Sequence, residues 1–298
     1  MQKIGLCLGG GGARGLCHIE FLKVLDEMDI KPQIISGTSI GAIIGSFYAA
    51  GLSGNEIHEI LDSLDLTKKK NEEVEEKEDK KEEGKLEKFL DSKLADLKEY
   101  YRKFDSVHKL IDISLFKTSS FLDGKGVAKF FEDNLPVKKF EDLKIPLKIV
   151  ATDYWRQQQV VFDSGELVPA IRASMSIPAV FAPVVIDDTV LVDGGIANNL
   201  PYDLIQDECD LTIAIDVSGT IKVPQKPKLP SFFDSIMVSF NTLQNSVIHY
   251  QMKIKEPDIY IKPELLDVNI LEFHKVKEIM ESVENDVQNF RKNLKKLI

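Results

Sequence analysis

Covalent staples are scarce in this chain. Its three cysteines, Cys7, Cys17 and Cys209, are an odd number with no C-x-x-C spacing, so the sequence suggests neither a disulfide framework nor a zinc site, and a reducing compartment is expected. Long apolar runs are missing too. No stretch of about 18 apolar residues occurs, and the opening MQKIGLCLGGGG gives way to glycine too early for a signal-peptide core. A soluble, cytoplasmic protein, peripheral at the membrane at most, is the expectation. Positive charge is the third shortage. Against 48 Asp and Glu stand 38 Lys and Arg, a net charge of −10, and no basic stretch is free of acids, which excludes a nucleic-acid groove. What remains is an ordinary globular composition, 43% hydrophobic and 29% charged, in 298 residues, enough for two domains or one large α/β unit.

Hydrophobic patterning favours the second. Lys3–Leu8 reads as a buried strand, followed by Gly9–Gly12 and an amphipathic helix over about 16–28. Gln33–Ser36 is a second strand, with a small-residue helix running to Ala50 and stopped by Gly51. Further strands are expected at Ile145–Ala151, Val160–Phe162, Val190–Val192 and Leu211–Asp216, a short helix or turn over Pro201–Cys209, and amphipathic helices over Phe232–Lys253 and Leu271–Leu297. Strands interleaved with helices predict a mostly parallel sheet in a three-layer α/β/α arrangement.

One segment departs from this pattern. Residues 68–103 hold 12 basic and 12 acidic side chains in 36 positions, so their net charge is zero and the acidity of the protein lies elsewhere. From Leu90 through Leu94, Leu97, Tyr101, Phe104, His108 and Ile111 to Leu115, spacings of four and three describe the seam of a long helix. We read 67–118 as a charged helical insertion within a single catalytic domain spanning 1–298, with Leu86–Leu115 a lid, membrane contact or partner surface.

Three patterns carry chemistry. Gly37-Thr38-Ser39-Ile40-Gly41 fits G-x-S-x-G between a predicted strand and helix, where Gly37 and Gly41 permit the tight turn that pushes a serine hydroxyl into solvent. Gly9–Gly15 lies between the first strand and its helix, so backbone N–H groups can converge on an anion. Gly10, Gly12 and Gly15 also satisfy G-x-G-x-x-G, but the second strand does not end in the acidic residue that would hold a ribose, and no Gly-Lys-Ser/Thr ending makes a P-loop. A serine nucleophile needs a base. His18, His58, His108, His249 and His274 all fall in predicted helices and read as surface or packing residues. Asp153, Asp193 and Asp216 each end or follow a strand, where ligands of parallel sheets collect, and only Asp193 is followed by two glycines, Gly194 and Gly195. Spacing does not choose decisively among the three.

The ordered set G-G-G-x-R-G at Gly10–Gly15, G-x-S-x-G at Gly37–Gly41 and D-G-G at Asp193–Gly195 resembles the patatin-like phospholipase family. The resemblance extends to Phe121–Gly124, Ala173–Pro178 and Asn198–Pro201, covering most of 3–66 and 120–218. It implies a Ser/Asp dyad without histidine, carried over to Ser39 and Asp193, and we expect both residues on exposed strand ends. It also implies an oxyanion hole from the backbone of Gly10, Gly11 and Gly12, supported by Arg14, Gly15, Gly37, Gly41, Gly194 and Gly195. The acidic residue that precedes the glycines in some members is Gly9 here. The implied activity is hydrolysis of fatty-acyl esters of phospholipids or lysophospholipids through an acyl-enzyme. No metal or organic cofactor is implied; the expected partners are a lipid ester and, transiently, a membrane surface. Acyl transfer to an alcohol, and lipid binding or scaffolding without turnover, are the rival functions. An ordinary carboxylate, with a pKa near 3.9, would be a weak base toward serine, so catalysis would lean on geometry and oxyanion donors.

Overall fold

The computed structural model describes residues 2–63, 125–178, 180–219, 229–230, 232–265, 268, 270 and 272–297. The charged segment, the 90–115 seam, His108 and Phe121–Gly124 lie outside the described residues.

The first strand, β1 (Ile4–Leu8), shows how the sheet is built. Side chains alternate across a strand, so Ile4, Leu6 and Leu8 share one face while Cys7 takes the other. The large face joins Ile35, Ile149, Ile213 and Ile259 of neighbouring strands in the main core. The small face, Cys7 with Ala214, receives Leu200, Tyr202, Ile205 and Ile248. Parallel strands β2 (Ile34–Thr38) and β7 (Leu211–Ile215) flank β1, with β3 (Leu147–Asp153) beyond β2 and β8 (Ile259–Ile261) beyond β7. Strands β4 (Gln158–Phe162), β5 (Val184–Ile186) and β6 (Thr189–Asp193), joined through antiparallel pairs, complete the mixed, mostly parallel sheet.

Helices cover both faces. Helices α1 (His18–Glu27), α2 (Ile40–Ala49), α3 (Gly54–Ser63) and α4 (Lys125–Asn134) put Phe21, Phe47, Ile57 and Phe131 into the main core, as does α5 (Leu167–Ser174) with Leu167 and Ile171. The other face carries α6 (Phe232–Ile254) through Ile248. At the C-terminal end, α7 (Val276–Ser282) and α8 (Glu284–Leu297) return to the main core, where Phe290 meets Phe21 edge-on with centroids 5.6 Å apart. The α/β/α expectation holds.

Three local expectations change. The chain makes a 3₁₀ turn over Gly12–Cys17 before α1 starts at His18, because Gly12 sits at φ +59°, outside the helical region. The single helix expected over Leu271–Leu297 is broken at Val283, a fully buried residue with non-helical dihedrals that anchors both halves to the core. Strands β5 and β8, three residues each, are too short to show a period of two.

The strand that matters most for the site is β3. A strand has two flanks, and β4 occupies one along Ile149–Asp153. On the other flank β2 pairs with Leu147–Val150 and stops, and β6, running the opposite way, takes over at Ala151–Asp153. The ends of β2 and β6 therefore meet, Thr38 opposite Val150 and Asp193 opposite Ala151.

Candidate active site

Ser39 stands where β2 turns sharply into α2. The turn brings α2 so close to β1 that a Cβ on Gly41 would overlap the Leu8 carbonyl, and one on Gly37 would lie 2.6 Å from the Gly41 oxygen. Ser39 itself holds φ 54°, ψ −120°, a left-handed conformation that L residues rarely adopt and that functional sites retain. Its amide donates to Ser174 Oγ at 2.8 Å, from the C-terminal end of α5. The solvent-exposed hydroxyl expected from the motif is not found. Ser39 is 6% exposed, since the glycine loop closes over it, with the Cβ position of Gly10 lying 3.4 Å from the Ser39 Cβ.

Asp193 ends β6 beside it and is 2% exposed, so neither member of the pair occupies the open strand end expected from sequence. Its backbone is fixed at both ends, its amide donating to the Ser176 carbonyl at 2.9 Å and its carbonyl accepting from Thr152 Oγ1 at 2.8 Å. Oδ1 accepts from the Gly195 amide at 2.7 Å. Oδ2 is buried without a hydrogen-bond partner among the described residues. Burial pushes the carboxyl up to about 7, against the weaker pull of the Gly195 amide and of the nearby Ser39 hydroxyl. The weak base expected of an ordinary carboxylate is thus replaced by one poised near neutrality.

The other two aspartates are occupied. Asp153 accepts from the Arg156 amide at 2.9 Å, the Trp155 amide at 3.1 Å and Arg156 Nη1 at 2.8 Å, contacts that hold its pKa below the usual range. Asp216 is fully buried, which alone would raise its pKa. Lys262 at 3.0 Å, the Ser218 amide at 2.9 Å and the Tyr260 hydroxyl at 2.7 Å outweigh burial and lower it. Neither carboxylate is poised as Asp193 is.

The glycine loop is held by its carbonyls. His18 Nε2 donates to the Gly9 oxygen at 2.9 Å, Asn199 Nδ2 to the Gly10 oxygen at 3.0 Å, and Arg14 Nε to the Gly11 oxygen at 3.2 Å. In a trans peptide the N–H points away from the preceding C=O, and none of these bonds is cis. Each grip therefore aims the next amide. That of Gly10 meets the Asn199 carbonyl at 3.0 Å and is already engaged, whereas Ala13 donates to Ile270 at 2.8 Å. Between them, Gly11 and Gly12 keep amides with no partner among the described residues.

Sequence reasoning singled out Arg14 but missed the other two grips. His18, expected as a packing residue, is a buried anchor whose pKa burial lowers to about 4, leaving a neutral imidazole to donate. Ser174 and Asn199 lie within Ala173–Pro178 and Asn198–Pro201, and only that neighbourhood in sequence hints at a role. Of the other histidines, His58 contacts Lys23 Nζ at 2.8 Å, His249 is exposed on α6, and His274 lies in a 3₁₀ turn, Phe273–Lys275.

Among the described residues no helix is long and apolar enough to cross a membrane. The chain is 29% identical to Lysophospholipase NTE1 of Kluyveromyces lactis over 73% of its length and 13% of the relative's. It is 30% identical to Patatin-like phospholipase domain-containing protein 6 of Homo sapiens, over 87% of its length and 16% of that protein's. An uncharacterized NTE family protein of Mycobacterium bovis is also 30% identical, over 77% of this chain and 53% of the relative. The chain thus spans about half or less of these relatives. Among solved structures, VipD from Legionella pneumophila superposes with a TM-score of 0.52 at 16% identity, covering 98% of this chain and 67% of VipD, a likeness of fold. The sequence model of the patatin-like phospholipase family matches residues 6–205, a span that includes the glycine loop, Ser39, Asp193 and Asn199, and the chain belongs to that family.

Proposed function

We propose that the protein is a serine acyl hydrolase that cleaves fatty-acyl esters of phospholipids or lysophospholipids through Ser39 and Asp193. The observation that carries this reading is the buried Asp193 carboxyl beside Ser39, with a pKa of about 7 and an Oδ2 that has no hydrogen-bond partner among the described residues. Asp193 takes the hydroxyl proton as Ser39 Oγ attacks the ester carbonyl. The Gly11 and Gly12 amides receive the developing oxyanion, their direction already set by Asn199 and Arg14. Collapse of the tetrahedral intermediate breaks the ester C–O bond, and the proton on Asp193 passes to the departing alcohol. Water, deprotonated by Asp193, then attacks acyl-Ser39 and releases the fatty acid with Ser39 restored. The names of the relatives support a lipid substrate.

A membrane surface is the proposed source of that substrate. Strands β2 and β3 are parallel, so the turn after β3 leaves the sheet at the edge where Ser39 follows β2. That turn presents Tyr154 and Trp155, the latter 75% exposed. Residues 67–118 are proposed as an insertion in one catalytic domain, since α3 before them and α4 after them send Ile57 and Phe131 into the same core. The test is labelling by a fluorophosphonate together with release of fatty acid from a lysophospholipid. Both should vanish in Ser39→Ala; label that persists in that variant would place the nucleophile elsewhere.

A further inference from the structure

Helix α6 lies beyond the span matched by the family, yet it reaches the loops that surround Ser39 and Asp193. It does so with amide side chains. Asn241 donates to the Ser218 carbonyl at 2.9 Å, Gln251 to Asn198 Oδ1 at 3.1 Å, and Gln244 to Asn199 Oδ1 at 3.0 Å. The last of these bears on the glycine loop.

Asn199 spends every polar atom of its side chain. Nδ2 grips the Gly10 carbonyl and Oδ1 accepts from Gln244. A carboxamide turned by 180° about its last torsion fills the same space with oxygen and nitrogen exchanged. In that orientation Oδ1 would face the Gly10 oxygen, lone pair against lone pair, and the peptide whose N–H belongs to Gly11 would lose its anchor. Two neighbours oppose the exchange together: the Gly10 carbonyl only accepts, and the Gln244 Nε2 group only donates. The fit is close, because a Cβ on Gly195 would overlap Gln244 Nε2 and lie 2.8 Å from Asn199 Oδ1. Gln244 is 8% exposed, so little water is at hand to take over the bond.

We infer that Gln244 is a positioning residue for the oxyanion loop: by fixing the orientation of the Asn199 carboxamide it aims the Gly11 amide. This rests on the assignment of Ser39 as nucleophile and of the Gly11 and Gly12 amides as oxyanion donors. The chain would thus complete its site with a helix that the family's matched span does not include.

The experiment compares Gln244→Leu, which removes the donor, with Gln244→Glu, which keeps the shape and, when ionised, offers only acceptors. Hydrolysis of a soluble short-chain ester, binding of a trifluoromethyl ketone that forms a tetrahedral adduct, and melting temperature are measured for each. Both variants should lower kcat about 10- to 100-fold, less than the 10²–10³ of a deleted donor, with KM within about twofold. Affinity for the ketone should fall by a similar factor, as expected for a loss felt in the transition state. Because Gln244 acts through Asn199, the double variant with Asn199→Ala should be no slower than Asn199→Ala alone. Thr242→Ala, on the exposed side of α6, should keep the wild-type rate. Wild-type kcat in both Gln244 variants, a change confined to KM, additive losses in the double variant, or loss of the folded state in both would each overturn the inference. If Gln244→Leu alone fails to fold, Gln244→Glu carries the test. Ser39→Ala run alongside separates the readings: activity in that variant removes the dyad itself, whereas an inactive Ser39→Ala with wild-type Gln244 variants removes only the role of Gln244.

Discussion

Thr38 and Asp193 pair with consecutive residues of β3, Val150 and Ala151, on the same flank of that strand. Strand β2 comes from one direction and β6 from the other, so a residue just past Thr38 meets a carboxylate at the end of β6 whatever lies between them in sequence. Side chains reinforce the junction, Thr38 Oγ1 donating to the Asn198 carbonyl at 2.8 Å and Thr152 Oγ1 to that of Asp193 at 2.8 Å. The proposed dyad of Ser39 and Asp193 is held in place by backbone ladders, which leads directly to the first prediction.

Ser39→Ala and Asp193→Asn should each reduce ester hydrolysis by about a thousandfold or more, as expected when one member of a concerted unit is removed, and both should still melt cooperatively. Ser39→Gly should be equally inactive yet more stable, by about 1 kcal/mol, because glycine relieves the left-handed strain at φ 54°. Thermal melts beside initial rates decide it. An unfolded Ser39→Ala would show that the hydroxyl, not the ladder, holds the junction.

The same geometry explains what could be read from sequence and what could not. The turn at Gly37–Gly41 and the loop at Gly10–Gly15 are contiguous, and their glycines mark close approaches that any sequence must satisfy locally. Asp193 is one of three strand-end aspartates, and its distinction is environmental: Asp153 and Asp216 have cationic and amide partners supplied by distant or neighbouring loops, whereas Asp193 Oδ2 has none among the described residues. Spacing cannot report such partners. The raised pKa, the takeover of one flank of β3 by β6 and the contact from Gln244 are all products of tertiary packing, so no local pattern announced them.

Hydrolysis of a soluble ester should rise with pH, kcat/KM reaching a plateau through a midpoint of about 7, the pKa of Asp193 in the free enzyme. Stability should move the opposite way. A carboxyl whose folded pKa exceeds its unfolded value near 3.9 favours the folded state while protonated, fully below about pH 4, and that contribution is lost as pH rises through 7. Asp193→Asn escapes the loss. Its stability relative to the wild type should grow between pH 4 and 7.5 and then level off, by about 2–4 kcal/mol given roughly 1.4 kcal/mol per pKa unit. A stability difference that stays flat across this range would mean that the carboxyl is not buried as described.

Gly12→Ala should lower turnover at least a hundredfold. Gly12 sits at φ +59°, and a Cβ there would overlap the Ile270 carbonyl, so the substitution must move the amide it carries. His18 tests the other end of the loop. His18→Leu deletes the donor to the Gly9 carbonyl in a fully buried position and should cost about 1–3 kcal/mol, whereas His18→Gln keeps a donor and should retain most activity. Equal behaviour of the two would reduce His18 to packing.

The final prediction concerns how a lipid reaches Ser39. Tyr154 and Trp155 form an edge-to-face pair with centroids 4.9 Å apart, on a turn whose base is pinned by Asp153 to the Trp155 and Arg156 amides. Exposed aromatic rings on a rigid turn suit the bilayer interface, where Trp and Tyr are enriched. A chain with net charge −10 gains little from anionic head groups, so apolar insertion is the stronger attraction. Trp155 is the one tryptophan of the chain, which makes it its own reporter. Its fluorescence should shift to the blue when Ser39→Ala protein meets neutral phosphatidylcholine vesicles, as the indole leaves water. Replacing Tyr154 and Trp155 with serine should reduce hydrolysis of vesicle lipid about tenfold or more while leaving a soluble short-chain ester within about twofold, since two interfacial rings contribute a few kcal/mol of binding and nothing to the chemistry. No blue shift, together with equal losses on both substrates, would remove this turn from membrane contact and make its aromatic pair a support for the β3–β4 hairpin.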